Sequence, residues 1–275
     1  MYGHVKLIFI TQINSFDYSS VGLDSIYFYR FICCDCRGGN IMDEMQTLLD
    51  DLYLVCQPIV LCSQTNSIDG YEILLRSKKL CAFPEKMFMW FIEKEERNSK
   101  LMAYYFRELK KLIASHRNTK LSLNLHPKQL QHPSTWGFLD SISLMKKNLS
   151  IELTEHYCAF DPAEGTDMLQ TYISKLKTKD FSLAIDDIGS GQNNFELVAK
   201  NVQNIHTLKV SLLNFRNLNE EVMFHFLNSW LTLSNHYNLK LIVEGVESES
   251  ISNKLKNLGM IYQQGYYHGK AQVLC

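Results

Sequence analysis

Two adjacent acidic residues, Asp186 and Asp187, directly follow an apolar run and precede a turn that contains Gly189 and Gly191. Neighbouring carboxylates repel each other unless a cation or a proton neutralises them. The glycines allow the backbone to turn tightly and to approach a ligand closely. The pattern is typical of a metal-binding loop at the end of a buried strand. For this loop taken alone, a solvated turn in which an aspartate caps a helix is an equally good interpretation.

Residues of similar chemical type stand in or just after most of the other apolar runs. They are acidic, amide or cationic: Glu72, Asn124, Glu152, Glu155, Lys209, Glu244, Glu247 and Gln264. Each has an ordinary explanation by itself, since a glutamate at a strand end is usually an exposed loop residue and a lysine is usually an ion-pair partner. Their recurrence in successive runs favours convergence on one cavity.

Such a cavity would have a definite chemistry. Several carboxylates with an amide oxygen suit Mg²⁺ or Mn²⁺ rather than Zn²⁺, and their number suggests two cations, with Asp186 the better candidate for a bridging ligand. Two such metals activate a water molecule and stabilise the leaving oxygen of a phosphoester. Lys209 is expected to hold or deprotonate that water, or to neutralise charge on phosphorus. Arg76 is expected to hold a phosphate or a guanine edge.

Eight short apolar runs alternate with stretches of helical periodicity and predict the elements that position these residues. The predicted strands cover residues 54–61, 70–75, 121–125, 149–153, 181–185, 207–210, 239–243 and 263–267. This alternation predicts an α/β fold, a modified TIM-type (β/α)8 barrel, in which active sites lie at the carboxyl ends of the strands. The linker between the first two strands is too short for a crossover helix, so the first strand should be antiparallel.

Composition excludes several classes of protein. The net charge of −1 and the pI near 6.7 argue against a nucleic acid polymer or an anionic membrane as partner. No apolar run approaches the roughly 18 to 20 residues of a membrane span, and no signal-peptide pattern is present. The eight cysteines lack the spacing of a disulfide framework. We therefore expect a soluble, cytoplasmic protein with free thiols.

The chain is predicted to contain one domain with an amino-terminal appendage. Residues 1–41 are rich in aromatic residues and carry no catalytic pattern. Met42 precedes a plausible helix, so an alternative start there would leave a complete domain. We predict an appendage of unknown role over residues 1–41 and a catalytic domain over residues 42–275.

Seven ordered stretches carry a family resemblance. They are Gln57-Pro58-Ile59-Val60, Gly70-Tyr71-Glu72-Ile73-Leu74-Leu75-Arg76, Asn124-Leu125, Glu152-Leu153-Thr154-Glu155, Asp186-Asp187-Ile188-Gly189-Ser190-Gly191, Glu244-Gly245-Val246-Glu247 and Gln264-Gly265-Tyr266. Together they resemble the EAL domain of bacterial cyclic di-GMP phosphodiesterases over about residues 50–272. The resemblance implies Mg²⁺- or Mn²⁺-dependent hydrolysis of cyclic di-GMP to linear pGpG, usually in a homodimer, and hence regulation of motility or biofilm behaviour.

The resemblance also implies roles for individual residues. It assigns metal binding to Glu72, Asn124, Glu152, Asp186 and Asp187, and positioning or activation of water to Lys209 and Glu244. Arg76 resembles the substrate-binding arginine. Glu155 resembles the glutamate that braces the acidic loop, while Glu247 and Gln264 resemble groups that support the ligands or contact water and substrate.

Several positions depart from the family pattern. Ile73 replaces the signature alanine and should point toward the outer helices. Ile188 replaces an aromatic residue of the acidic loop, and Ser211 replaces a carboxylate two residues after Lys209. These departures motivate an alternative function, that of a catalytically silent EAL-like domain that binds cyclic di-GMP or a protein partner. All the presumed metal ligands are nevertheless retained, which favours the enzyme.

Overall fold

The computed structural model describes residues 41–156 and 165–274 of the 275-residue chain. Eight strands close into a barrel in chain order. They are β1 (Leu52–Leu61), β2 (Ser67–Ser77), β3 (Leu121–Leu125), β4 (Leu149–Leu153), β5 (Leu183–Ile185), β6 (Thr207–Ser211), β7 (Lys240–Glu244) and β8 (Tyr262–Gln264). The predicted α/β barrel is confirmed.

Helices precede the barrel and connect its strands. They are α1 (Ile41–Asp51), α2 (Glu85–Ile92), α3 (Glu95–Ser115), α4 (Pro133–Ser141), α5 (Gly165–Thr178), α6 (Phe195–Asn201), α7 (Glu220–Tyr237) and α8 (Glu249–Asn257). The connection between β3 and β4 is less regular than the others, with 3-10 turns at Pro127–Gln131 and Ser143–Met145. Pro133 opens α4 because a proline fits only the first turn of a helix.

The first strand runs opposite to its neighbours. β1 pairs antiparallel with both β2 and β8, and all the other neighbouring pairs are parallel. The short polar link between β1 and β2 produces this arrangement, because a parallel pair needs a crossover connection. The predicted antiparallel first strand is confirmed. The pairing of β1 with β2 contains a register shift at Ile59/Val60.

Alternation along the strands separates the packing face from the chemical face. Ile73, Leu123, Ile151 and Leu208 belong to the buried apolar core between the barrel and the helices. Their immediate neighbours in sequence, among them Glu72 and Lys209, point to the barrel interior because successive strand side chains face opposite sides. The strands therefore place Glu72, Asn124, Glu152 and Lys209 on the inner side of the same sheet.

The eighth strand is shorter than predicted and starts one residue earlier. The prediction extended it to residue 267, but it ends at Gln264. Gly265 follows with a φ of 157°, and a Cβ there would lie 2.1 Å from the Val246 carbonyl oxygen. The close approach of the loops after β7 and β8 therefore ends the strand.

Some predictions concern residues outside this description. Residues 1–40, which include most of the predicted appendage, lie outside the described residues.

Cys56, Cys62 and Cys81 are free thiols, as expected. Within residues 41–156 and 165–274, none of the helices combines the length and the apolar character needed to cross a bilayer.

The buried position of Ile73 generates a stability prediction. Its side chain is 2% exposed in the core, so Ile73→Ala should lower the free energy of unfolding by about 2–5 kcal/mol. Ile68→Ala, at a position 55% exposed in the same strand, is the matched control and should change it by less than about 0.5 kcal/mol. Urea unfolding followed by circular dichroism measures both. Equal effects would contradict the assignment of Ile73 to the core.

Candidate active site

Lys209 is the centre of the site. It lies in β6, and its side chain is 0% exposed. Four carboxylates surround its ammonium group: Glu244 Oε1 at 2.7 Å, Glu152 Oε2 at 2.8 Å, Asp186 Oδ1 at 3.2 Å and Glu72 Oε2 at 3.4 Å. Glu72 comes from the middle of β2, Glu152 and Glu244 come from the carboxyl-terminal parts of β4 and β7, and Asp186 directly follows β5. One ammonium group cannot neutralise four carboxylates, so the site carries an excess of negative charge.

This excess shows in the proton affinities of the buried groups. Burial opposes the charge of Lys209, but the surrounding carboxylates raise its pKa well above the usual value, so it remains an ammonium ion. Burial raises the pKa of Asp186 well above its usual range, and repulsion from the other three carboxylates adds to the effect against the attraction of Lys209. Burial likewise raises the pKa of Glu152.

Glu72 and Glu244 differ in their hydrogen-bond partners. Burial opposes ionisation of Glu72, but attraction to Lys209 and hydrogen bonds from Asn124 Nδ2 (2.6 Å) and Gln264 Nε2 (2.6 Å) lower its pKa overall. Burial raises the pKa of Glu244 to about 7, against the attraction of Lys209. Glu72 is therefore a carboxylate at neutral pH, whereas Glu244 is close to its midpoint.

The oxygen atoms of the cluster fit a hard divalent cation. One carboxylate oxygen from each of Glu72, Glu152 and Asp186 lies within 4.8 Å of the others. Among the buried oxygens that make no hydrogen bond in the described part of the chain are Asn124 Oδ1, Asp186 Oδ1 and Gln264 Oε1. Asp186 Oδ1 is close to Lys209 Nζ but outside hydrogen-bond geometry. Buried acceptors without donors are costly unless a ligand satisfies them, and carboxylate and amide oxygens are the ligands that Mg²⁺ and Mn²⁺ prefer.

Asp187 lies beside the cluster rather than within it. Its backbone is left-handed, with a φ of 50°, and its Oδ1 accepts a 2.6 Å hydrogen bond from Asn214 Nδ2. Burial raises its pKa, against the hydrogen bond from Asn214. The structure therefore brings four of the five predicted ligands together and leaves Asp187 beside them, and metal binding by all five remains a prediction.

The acidic loop is held mainly by backbone contacts. The Glu155 carbonyl oxygen accepts a 2.9 Å hydrogen bond from the Gln192 backbone N–H. Gly191 allows this approach, because a Cβ at its φ of 49° would lie 2.1 Å from the same oxygen. The Glu155 side chain lies 3.5 Å from His156 Nδ1. The contact observed between Glu155 and the loop is thus made by its main chain.

Three residues of the site had no predicted role. Asn193 is fully buried, and its Nδ2 donates to the carbonyl oxygens of Asp186 and Leu153. Asn214 binds Asp187, as above. Gln57 Oε1 accepts from Gln264 Nε2 at 3.4 Å. The position of Gln57 in a family stretch was the one signal available for it, because the asparagines reach their partners only through the folding of the loops.

Two cavities flank Asp186. The Arg76 cavity, of 330 Å³, is bordered by Arg76, Asn124, Glu155, His156 and Asp187 among others. The Glu247 cavity, of 320 Å³, is bordered by Glu72, Ser211, Glu244, Glu247 and Gln264 among others. The predicted substrate-binding residues Arg76 and Gln264 therefore border different cavities. Arg76 Nη1 donates a 2.9 Å hydrogen bond to the carbonyl oxygen of the preceding residue, Leu75.

The two departures in and near the acidic loop occupy well-defined places. Ile188 is 1% exposed and packs in the core, and its N–H donates to the Lys209 carbonyl oxygen at 2.9 Å. Ser211 pairs with Glu244 across β6 and β7. The Ser211 hydroxyl accepts a 3.2 Å hydrogen bond from the Leu213 N–H and caps a 3-10 turn, a position that aspartate also fills well.

Comparisons with known proteins agree with this geometry. The family model described as "EAL domain" matches residues 42–271. The chain is 25% identical over 222 residues to the cyclic di-GMP phosphodiesterase TpdA of Vibrio parahaemolyticus, covering 79% of this chain and 37% of TpdA. It is 26% identical over 250 residues to the probable cyclic di-GMP phosphodiesterase PdeA of Escherichia coli K12, covering 85% of this chain and 32% of PdeA.

A solved structure is similar over nearly all of its own length. It is the crystal structure of a standalone EAL protein from Vibrio cholerae O395 in its c-di-GMP bound form, with a TM-score of 0.64 and 26% identity. The match covers 81% of this chain and 92% of that one. By contrast, this chain spans about a third of the length of the two phosphodiesterases above.

The raised pKa of Glu244 generates a pH prediction for the metal-free protein. Between the ordinary value of 4.5 and about 7, the folded state keeps a proton that the unfolded state releases. Stability should therefore fall as the pH rises through this window, and the Glu244 contribution is roughly 3 kcal/mol at most. In EDTA, thermal unfolding should show a flatter pH dependence for Glu244→Gln than for the wild type. Exposed Glu93→Gln is the control, and an unchanged slope in Glu244→Gln would contradict the assignment.

Proposed function

The chain belongs to the EAL domain family, and from this premise we propose that it hydrolyses one phosphodiester bond of cyclic di-GMP to linear pGpG with Mg²⁺ or Mn²⁺. The observation that carries the proposal is the cluster of Glu72, Glu152, Asp186 and Glu244 around Lys209, with unpaired amide and carboxylate oxygens beside it. This set of groups suits cations that act on a phosphoester.

The proposed roles follow from charge and contact. Glu72, Asn124, Glu152 and Asp186 would hold the metal, and Asp187, beside this cluster, would be a further ligand. A bound metal would supply Lewis acidity and a water of lowered pKa. Lys209 is an ammonium ion among carboxylates, so it donates hydrogen bonds: it orients the attacking water and offsets charge on phosphorus. It is poorly suited to remove a proton. Glu244, 2.7 Å from Lys209, is the better acceptor for the proton of that water.

The two cavities support a substrate with two similar halves. Asp186 borders both the Arg76 cavity and the Glu247 cavity. A cyclic dinucleotide whose scissile phosphate lies at the cluster would extend one nucleotide into each. Arg76 then lies in reach of a phosphate or a guanine edge, with a fork of donors that matches either.

Relatives support the same substrate. Two proteins with about a quarter identity are named as a cyclic di-GMP phosphodiesterase and a probable one, and the similar Vibrio cholerae EAL protein was crystallised with c-di-GMP. Lowering of this second messenger, with effects on motility or biofilm behaviour, is the corresponding cellular proposal.

A catalytically silent receptor is the alternative. The observation that favours it is Ser211, which lacks the carboxylate that the family usually places two residues after the lysine. Ser211 borders the Glu247 cavity and pairs with Glu244, so the missing charge lies beside a proposed catalytic group. Binding of cyclic di-GMP without turnover would identify this function.

The homodimer implied by the family remains a proposal. Phe195, Val222 and Phe226 are between 36% and 63% exposed and provide apolar area on α6 and α7. Such exposed apolar residues suit an interface between copies. The mass of the protein in solution, measured by light scattering, tests it, and a monomer at micromolar concentration would contradict it.

Turnover is the direct test of the enzyme. Purified protein incubated with cyclic di-GMP and Mn²⁺ or Mg²⁺ should yield pGpG, detected by chromatography, and EDTA should stop the reaction. Glu72→Gln and Lys209→Met should each lower kcat by at least about a hundredfold, since each removes a charge from the cluster. The control Glu93→Gln should retain full activity. Binding without product in the wild type would favour the receptor instead.

Restoring the missing carboxylate tests the importance of Ser211. Ser211→Asp keeps the cap of the 3-10 turn while adding a negative charge near Glu244 and Asp187. If the departure limits catalysis, kcat should rise several-fold at saturating metal. Ser211→Asn, which has the same shape without the charge, is the matched control. Equal rates for all three proteins would make the departure neutral.

A further inference from the structure

We propose that His156, positioned by His126, binds one base of the substrate by stacking in the Arg76 cavity. This inference rests on the proposed function, because it concerns how the same site recognises cyclic di-GMP. Neither histidine belongs to the family stretches named above, although each stands directly after one of them.

The two rings lie together and border the same cavity as Asp186 of the carboxylate cluster. Their centroids are 5.2 Å apart and their planes are inclined by 33°. The strands explain the meeting: Asn124 and Glu152 are partners across β3 and β4, His126 follows Asn124 by two residues, and His156 follows Glu152 by four. The segments that follow β3 and β4 leave the barrel at the same edge, and both histidines border the Arg76 cavity.

His126 is the supporting member of the pair. It is 4% exposed, and its Nδ1 accepts a 3.0 Å hydrogen bond from the Lys128 N–H at the start of the Pro127–Gln131 turn. The ring also contacts Phe88, with centroids 6.3 Å apart. His126 is therefore fixed by a backbone contact on one side and by aromatic packing on the other.

His156 is the accessible member. Its side chain is 49% exposed. Its Nδ1 lies 3.3 Å from Thr154 Oγ1 and 3.5 Å from Glu155 Oε1. These contacts and the ring of His126 hold the imidazole at the cavity edge with part of its surface open to a ligand.

The chemistry of the cavity suits a nucleobase. Phe83, Phe88 and Met89 provide an apolar wall, while Arg76 and Asp186 border the same space. A flat heteroaromatic ring that stacks on an imidazole would bury its faces here and keep its polar edges near charged groups. Stacking on aromatic side chains is a general way in which proteins bind bases.

Kinetics of one substitution series test the contact. In His156→Ser, KM for cyclic di-GMP should rise about tenfold, as expected for the loss of one base–aromatic stack, while kcat stays within about twofold. His156→Phe keeps a flat ring and should remain near the wild type. His236→Ser removes an exposed histidine from the last turn of α7, away from the proposed dimer surface, and is the matched control. An unchanged KM in His156→Ser, or an equal rise in His156→Phe, would overturn the proposal.

Inhibition by substrate fragments tests that the base is the group recognised. The inhibition constant of GMP should rise about tenfold in His156→Ser, whereas that of ribose 5-phosphate, which has no base, should not change. The shift in melting temperature caused by Mn²⁺ should be the same in the wild type and the variant. Equal weakening of both inhibitors would contradict base stacking.

The supporting role of His126 has its own test. His126→Asn keeps an acceptor for the Lys128 N–H but removes the ring, so it should raise KM by a smaller factor than His156→Ser. The double variant should have the same KM for cyclic di-GMP as His156→Ser alone, because His126 acts through His156. Independent, multiplicative effects would exclude positioning.

These experiments distinguish a failure of the stacking proposal from a failure of the proposed function. If the wild type binds cyclic di-GMP without hydrolysis, dissociation constants replace KM, and the same tenfold weakening in His156→Ser would support the stacking contact while the enzyme proposal fails. Hydrolysis with unchanged KM in the variant would sustain the enzyme and overturn the contact. A wild type that neither binds nor hydrolyses the compound would overturn both.

Discussion

The burial of one lysine among four carboxylates is the constraint on which the rest of this structure depends. Lys209 has no exposed surface, and each of its partners comes from a different strand. A buried ammonium ion is tolerated only when opposite charges and hydrogen bonds replace its hydration. The closed barrel supplies these charges, but it supplies more of them than the lysine can neutralise. The remaining negative charge is what makes the cluster suited to divalent cations, and it relates stability, pH and metal binding to the same few side chains.

The loops around the cluster are held by hydrogen bonds that keep the acidic side chains directed toward the barrel interior. The loop after β5 is fastened by main-chain hydrogen bonds to the end of β4 and by the buried amide of Asn193. The loops after β7 and β8 approach so closely that one of them requires a glycine. Backbone contacts of this kind fix the cluster independently of its protonation.

Much of the fold and part of the site could be predicted from the sequence. Eight apolar runs alternating with helical periodicity predicted the barrel, and the short link after β1 predicted the antiparallel first strand, because both are local properties of the chain. The polar residues at successive strand ends predicted the cluster of Glu72, Asn124, Glu152, Asp186 and Lys209, since the carboxyl ends of the strands meet at one mouth. The predicted end of β8 was wrong, because the close approach of the loops after β7 and β8, and not local propensity, determines where that strand stops. β5 ends at residue 185 as predicted but begins two residues later than predicted.

The sequence by itself indicated the kind of fold, the family and the set of carboxylate, amide and ammonium groups in the site, since residue types and their order carry these directly. Only the tertiary structure decided how the acidic residues share their roles. Asp186 and Asp187 are adjacent in sequence, yet one contacts Lys209 while the other turns aside to Asn214. Likewise, Glu155 holds the acidic loop through its carbonyl oxygen, and His126 meets His156 across two strands. Backbone conformation and contacts between distant segments set these directions, and neither is encoded in the spacing of residues along one chain.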